Sequence, residues 1–107
     1  MSLRNEKITR EVQEIVAKFI NEEASKQSLI TVTNLTISND SKQATVYVTV
    51  FPREKEEQAI GFLRRKLPEL REHVKKVQPM KQIPFFAIEI DSGEKHRQDI
   101  DALLRDA

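Results

Sequence analysis

Between Arg64 and Lys81 the chain carries seven cations, Arg64, Arg65, Lys66, Arg71, Lys75, Lys76 and Lys81, against only two acids, Glu69 and Glu72. The whole protein has a net charge of +1, so this local excess is balanced by a net acidic remainder. Guanidinium and ammonium groups at such density bind anions through charge-assisted hydrogen bonds, and on a polyphosphate they release condensed counterions. On a helical wheel Arg64, Arg71 and Lys75 form a stripe beside the apolar positions, while Arg65 and Lys76 point away from them. The competing interpretation is a solvated helix face with no ligand.

Bond-making chemistry has no comparable cluster. His73 and His96 lie far apart without a second histidine at helical ligand spacing, and the absence of cysteine excludes thiolate metal sites and disulfides. Glu22-Glu23, Glu56-Glu57 and the Asp99/Asp101 pair fall on polar faces, where nothing tunes a carboxyl toward general acid or base work. No phosphate-loop or nucleophile-elbow motif occurs. The expectation is no catalytic residue, no metal, no cofactor and no small-molecule substrate. Among the aromatics, Phe19 and Phe86 are expected in the core and Phe51 in the core or at its edge. Tyr47 could stack a base, and Phe62 and Phe85 fall off the apolar faces as candidate contact positions.

The cations require a scaffold. With 38% hydrophobic and 33% charged residues, residues 1–107 read as a single folded domain with a thin core. No apolar run approaches the roughly 20 residues of a membrane span, and no signal-like segment opens the chain, so a cytoplasmic protein without membrane contact is expected. Ile8, Val12, Ile15, Val16, Phe19 and Ile20 predict a helix over about residues 5–24. The stretch LITVTNLTIS predicts a strand whose register slips between Val32 and Leu35, since Val32 and Ile37 have opposite parity, which calls for a bulge near Thr33-Asn34. After the turn NDSKQ, ATVYVTVF alternates cleanly and completes an antiparallel hairpin.

Pro52 ends that strand, and a helix follows with Ile60, Leu63, Leu67, Leu70, Val74 and Val77 at spacings of three and four. These spacings run straight across Pro68, although an interior proline costs a helix roughly 3 kcal/mol. A bend or break near Leu67-Pro68 that keeps one face buried reconciles the two. Pro79 stops the element, PFFAIEID reads as a third strand, and Asp91-Ser92-Gly93-Glu94 fits a cap for a short helix carrying Ile100, Leu103 and Leu104.

The order of these elements, with several strings, resembles the bacterial ribosome-binding factor A family. Ser38, Asp40, Ala44, Val46, Tyr47 and Val48 match its hairpin, and Pro84, Asp91, Ser92, Ile100, Leu103 and Leu104 match its closing segment. The resemblance implies an α+β, KH-like (type II) domain in the order α-β-β-α-kink-α-β with a short C-terminal helix. In that family an Ala-x-Gly kink followed by an aliphatic-Arg pair replaces the KH Gly-x-x-Gly loop. Two registers compete for it. Ala59-Ile60-Gly61 matches letter by letter, whereas gap-free counting from Pro84 puts Pro68 at the glycine and Leu70-Arg71 at the pair; the second needs fewer insertions. The connection ASKQS departs from the family's frequent Asp-Pro-Arg.

The family resemblance further implies a monomeric RNA-binding factor that joins the small ribosomal subunit and its rRNA precursor late in maturation. Arg64, Arg65, Arg71, Lys75, Lys76 and Lys81 would hold phosphates, with amides at the start of the second helix as further donors. A general structured-RNA binder and a protein-protein adaptor that uses Phe62 and Phe85 are the alternatives.

Overall fold

Burial of one apolar stripe per element organises the computed structural model, which describes residues 3–24 and 28–93. Helix α1 (Leu3–Glu23) buries Val12, Val16, Phe19 and Ile20. Strands β1 (Leu29–Ile37) and β2 (Gln43–Phe51) pair antiparallel, with the register shift between Val32 and Asn34 at the position the parity slip predicts. The extra residue restores Leu35 to the buried face beside Ile30, so both halves of β1 contribute to one core.

The hairpin turn is tied by its own side chains. Ser38 Oγ donates to Asp40 Oδ1 at 2.6 Å, the Lys42 amide donates to the same oxygen at 3.0 Å, and the Gln43 amide donates to Ser38 Oγ at 3.1 Å. The Ser38 hydroxyl and then the Lys42 amide hold the Asp40 carboxyl below its ordinary 3.8, since both bonds favour the anion.

A 3-10 turn (Arg53–Lys55) leads into α2 (Glu56–Arg65), Lys66 interrupts the helix, and α3 (Leu67–Val77) continues to the loop before β3 (Phe85–Ile90). Strand β3 joins β2 in parallel, giving the order β1-β2-β3. Parallel partners need a long crossover, and α2 with α3 provides it. The helices cover the sheet face carrying Ala44, Val46, Val48, Phe86 and Ile88, whereas Thr45, Tyr47 and Thr49 alternate onto the other face and stay half-buried. No described helix is long and apolar enough to cross a membrane.

The proline is accommodated by position. Lys66 sits at φ −90, ψ −3, its amide bonds Leu63 O, three residues back, at 3.0 Å, and the Leu70 amide starts the new ladder on Lys66 O at 3.0 Å. Pro68 therefore stands in the first turn of α3, where its missing N–H costs no intrahelical bond. Leu63 before the break and Leu70 and Val74 after it are all buried.

Three expectations need correction. Val77, the last residue of α3, is 52% exposed, because a terminal position has neighbours on one side only. Phe51 is 72% exposed; the parity that buries Val46, Val48 and Val50 places it on the uncovered face opposite Leu29. Phe62, by contrast, is half-buried and packs against the core. The expected C-terminal helix lies outside the described residues, which end with Ser92 and Gly93 in helical geometry.

Leu70→Ala should destabilise the protein by about 2–5 kcal/mol in urea unfolding, while Val77→Ala should cost less than about 0.5 kcal/mol. Because the folded Asp40 carboxyl lies below its unfolded value, its contribution is present above pH 3.8 and lost as pH falls through the folded value. Asp40→Asn should remove that increment, seen as a flatter acid limb when the thermal midpoint is followed against pH.

Candidate nucleic-acid interface

Helix geometry divides the predicted cations into two groups. Arg64, Arg65 and Lys66 surround the break between α2 and α3, whereas Lys75 and Lys76 occupy the last turn of α3 and Lys81 the loop beyond. Ten residues separate Lys66 from Lys76, about 15 Å along a helix at 1.5 Å per residue. The stretch that reads as one basic run is therefore two clusters joined by a rod.

Within the first group the side chains diverge. Arg64 Nη2 donates to Ile88 O in β3 at 3.2 Å. Arg65 lies on the opposite flank, in a depression shared with Ser28, Ile30 and Lys55. Lys66 Nζ stands 3.6 Å from Glu23 Oε2 and 3.5 Å from Glu69 Oε2, with Nζ 5.8 Å from the Phe62 ring centre. Its charge belongs to the basic run, yet its position at the break, where it ties α1 to α3, has no signature in the sequence. The first turn of α3 makes a restricted anion site: Pro68 has no amide hydrogen, and the Glu69 carboxylate occupies the same turn.

Arg71 is engaged more fully. Its Nη2 donates to Ile83 O at 2.9 Å and its Nε to Pro84 O at 3.3 Å, while the guanidinium lies 4.3 Å from the centre of the Phe85 ring. These three interactions hold against protein atoms a guanidinium that the sequence offers as a phosphate ligand. Lys75, Lys76 and Lys81 differ: they are exposed, and their side chains make no hydrogen bond or ion pair with the described residues. Among the predicted cations, they and Arg65 are those whose side chains have no hydrogen bond or ion pair with another described residue.

The uncovered sheet face offers a different surface. Tyr47 is half-buried there between Asn34 and Glu89, and Thr33 Oγ1 donates to Asp91 Oδ2 and also approaches Tyr47 O at 3.3 Å. Phe85 is 65% exposed at one end of the face, and the Leu29–Phe51 pair is exposed at the other. His73 packs against Phe19 with ring centres 5.5 Å apart. Among the described residues no cluster of three or more His, Cys, Asp or Glu could hold a metal ion.

The family model for ribosome-binding factor A matches residues 4–104. The chain belongs to that family. Ribosome-binding factor A of Clostridium botulinum (strain Hall) is 29% identical over 101 residues, covering 94% of this chain and 83% of the relative. The crystal structure of the factor from Thermus thermophilus matches with a TM-score of 0.71 at 22% identity, covering 78% of this chain and 91% of that one. A homology model of the T. thermophilus factor, fitted into a cryo-EM map of a 30S complex, matches at 0.66 and 24% identity over 78% and 90% of the two chains. The fold is thus KH-like, as the family's structures are.

Within this family member the helix breaks at Lys66, beside Leu67-Pro68. Ala59 is buried and Gly61 sits in the body of α2, where a Cβ would meet nothing nearer than Arg65 Nη1 at 3.7 Å. Gly61→Ala should accordingly stabilise the protein by about 0.5–1 kcal/mol through lower unfolded-state entropy, measured as a raised urea midpoint.

Proposed function

We propose that this protein binds the small ribosomal subunit and its precursor rRNA and assists late maturation of that subunit by binding alone, with no bond made or broken. Family membership carries this reading, together with the likeness to the T. thermophilus factor that was fitted into a 30S complex. The arrangement of charge supports the RNA half. Lys75, Lys76 and Lys81 cluster at one end of α3 with no acid bonded to them among the described residues, and Arg65 adds charge beside the break. Such groups follow phosphates in a sequence-independent way, so affinity falls with salt. Leu67 and Pro68 act at a distance from the ligand. By fixing where α2 stops and α3 begins, they set the direction in which the rod carries its terminal lysines.

A second reading, a protein-protein adaptor, is favoured by one observation: the Leu29–Phe51 pair and Phe85 are exposed on the uncovered sheet face. Association through that surface would depend weakly on salt.

Co-sedimentation with isolated small subunits, large subunits and whole ribosomes across a salt series separates the readings. Selective binding to small subunits, stronger for immature than for mature particles, is expected. Lys75→Gln with Lys76→Gln should weaken it and reduce the slope of log affinity against log salt by about two, one for each phosphate no longer neutralised. Salt-independent binding, or equal binding to all particles, would remove this proposal.

A further inference from the structure

Strand β3 is an edge strand, and its free edge faces the crossover helices. The amides of Phe85 and Asp91 bond Lys42 O and Val48 O, so odd-numbered residues of β3 direct their polar groups toward β2. In a parallel pair the N–H and C=O of one residue point to the same side, which leaves Phe86, Ile88 and Ile90 of β3, and Pro84 immediately before it, facing outward. Unpaired edges invite pairing with other chains. Here two of those outward carbonyls already have donors: Arg64 reaches Ile88 O and Arg71 reaches Pro84 O, with Ile83 O held as well. Pro84 itself is buried and has no amide hydrogen to offer.

We propose that Arg71, seconded by Arg64, is a positioning residue rather than a phosphate ligand. Arg64 latches the segment before the helix break to the free edge of β3, Arg71 latches the segment after it to the two residues that lead into β3, and together they fix the angle at which α3 presents Lys75 and Lys76. The assignment rests on the reading above that those lysines meet RNA. Arg64 leaves the last turn of α2 and Arg71 the second turn of α3, so the latch spans the break. A rotation of α3 about Lys66 would pull the Arg71 fork off Ile83 and Pro84 and its face off Phe85. Two carbonyls and one ring match a planar guanidinium with several donors; a lysine ammonium supplies the charge but neither the fork nor the stacking plane.

That difference makes the conservative exchange decisive. Arg71→Lys and Arg71→Ala should lower the thermal midpoint by similar amounts, about 5–10 °C, since both abolish the latch. At 10 °C, with folding of each variant verified by circular dichroism, both should bind small subunits on the order of tenfold more weakly, with the salt slope unchanged. Phe85→Leu, which removes the stacking plane and keeps the hydrogen bonds, should produce a smaller shift in the same direction in both measurements. Lys75→Gln should do the reverse of Arg71→Ala, lowering the salt slope and leaving the midpoint alone.

A wild-type midpoint and affinity for Arg71→Lys, with a salt slope reduced by about one in Arg71→Ala, would overturn the latch in favour of a phosphate contact. Lost stability with full affinity at 10 °C would overturn the positioning role as well. If the wild-type protein shows no salt-dependent subunit binding, the functional reading fails, and the latch is judged by the two Arg71 midpoints alone: equal losses keep it, a wild-type midpoint for Arg71→Lys removes it.

Discussion

The structure depends on one apolar face that stays buried through an interruption of the helix carrying it. Leu63, Leu70 and Val74 enter the same buried core although Lys66 breaks the backbone ladder between them. Placing Pro68 in a first turn removes the penalty it would exact in a helix interior, and burial of large aliphatic side chains on both sides keeps the two helices on the core. The crossover so formed brings β3 parallel to β2, and the strand with the two residues leading into it presents the carbonyls to which Arg64 and Arg71 bond.

Charge is distributed around this frame by what each position can reach. Arginines close to β3 find carbonyl acceptors, and Lys66 at the break finds the carboxylates of Glu23 and Glu69. Lysines at the far end of α3 find no such partner among the described residues. The partly exposed ion pairs at Lys66 contribute little to stability, about 0–1 kcal/mol each, so their effect is on orientation more than on folding. A basic stretch that is uniform in composition thereby divides into a part directed inward at the fold and a part left facing outward.

Much of the architecture is legible in residue order. The alternation in ATVYVTVF, the parity slip near Thr33 and the Ser38–Asp40 turn each specify local geometry through neighbours a few residues away, and each appears where the pattern requires. Hydrophobicity alone misplaces Phe51, although the alternation of its own strand already assigns it to the open face. Phe62 and Val77 are misplaced for a different reason. Whether a position at the margin of a helical stripe is covered depends on where the neighbouring element ends, and spacing within one helix carries no record of that.

The sequence by itself determined the described helices and strands, the break beside Pro68, the burial of Leu63, Leu70 and Val74 across it and the presence of an excess of cations, because these follow from short-range sterics and from the period of the apolar pattern. Which of those cations point outward was decided only by the tertiary structure. Arg71 and Lys75 are four residues apart on one helix face and look equivalent in the chain. They differ because Ile83, Pro84 and Phe85, twelve or more residues on from Arg71, return beside it and offer two carbonyls and a ring. Long-range hydrogen bonds of this kind depend on which edge of the sheet a crossover meets, and that is settled when the layers pack.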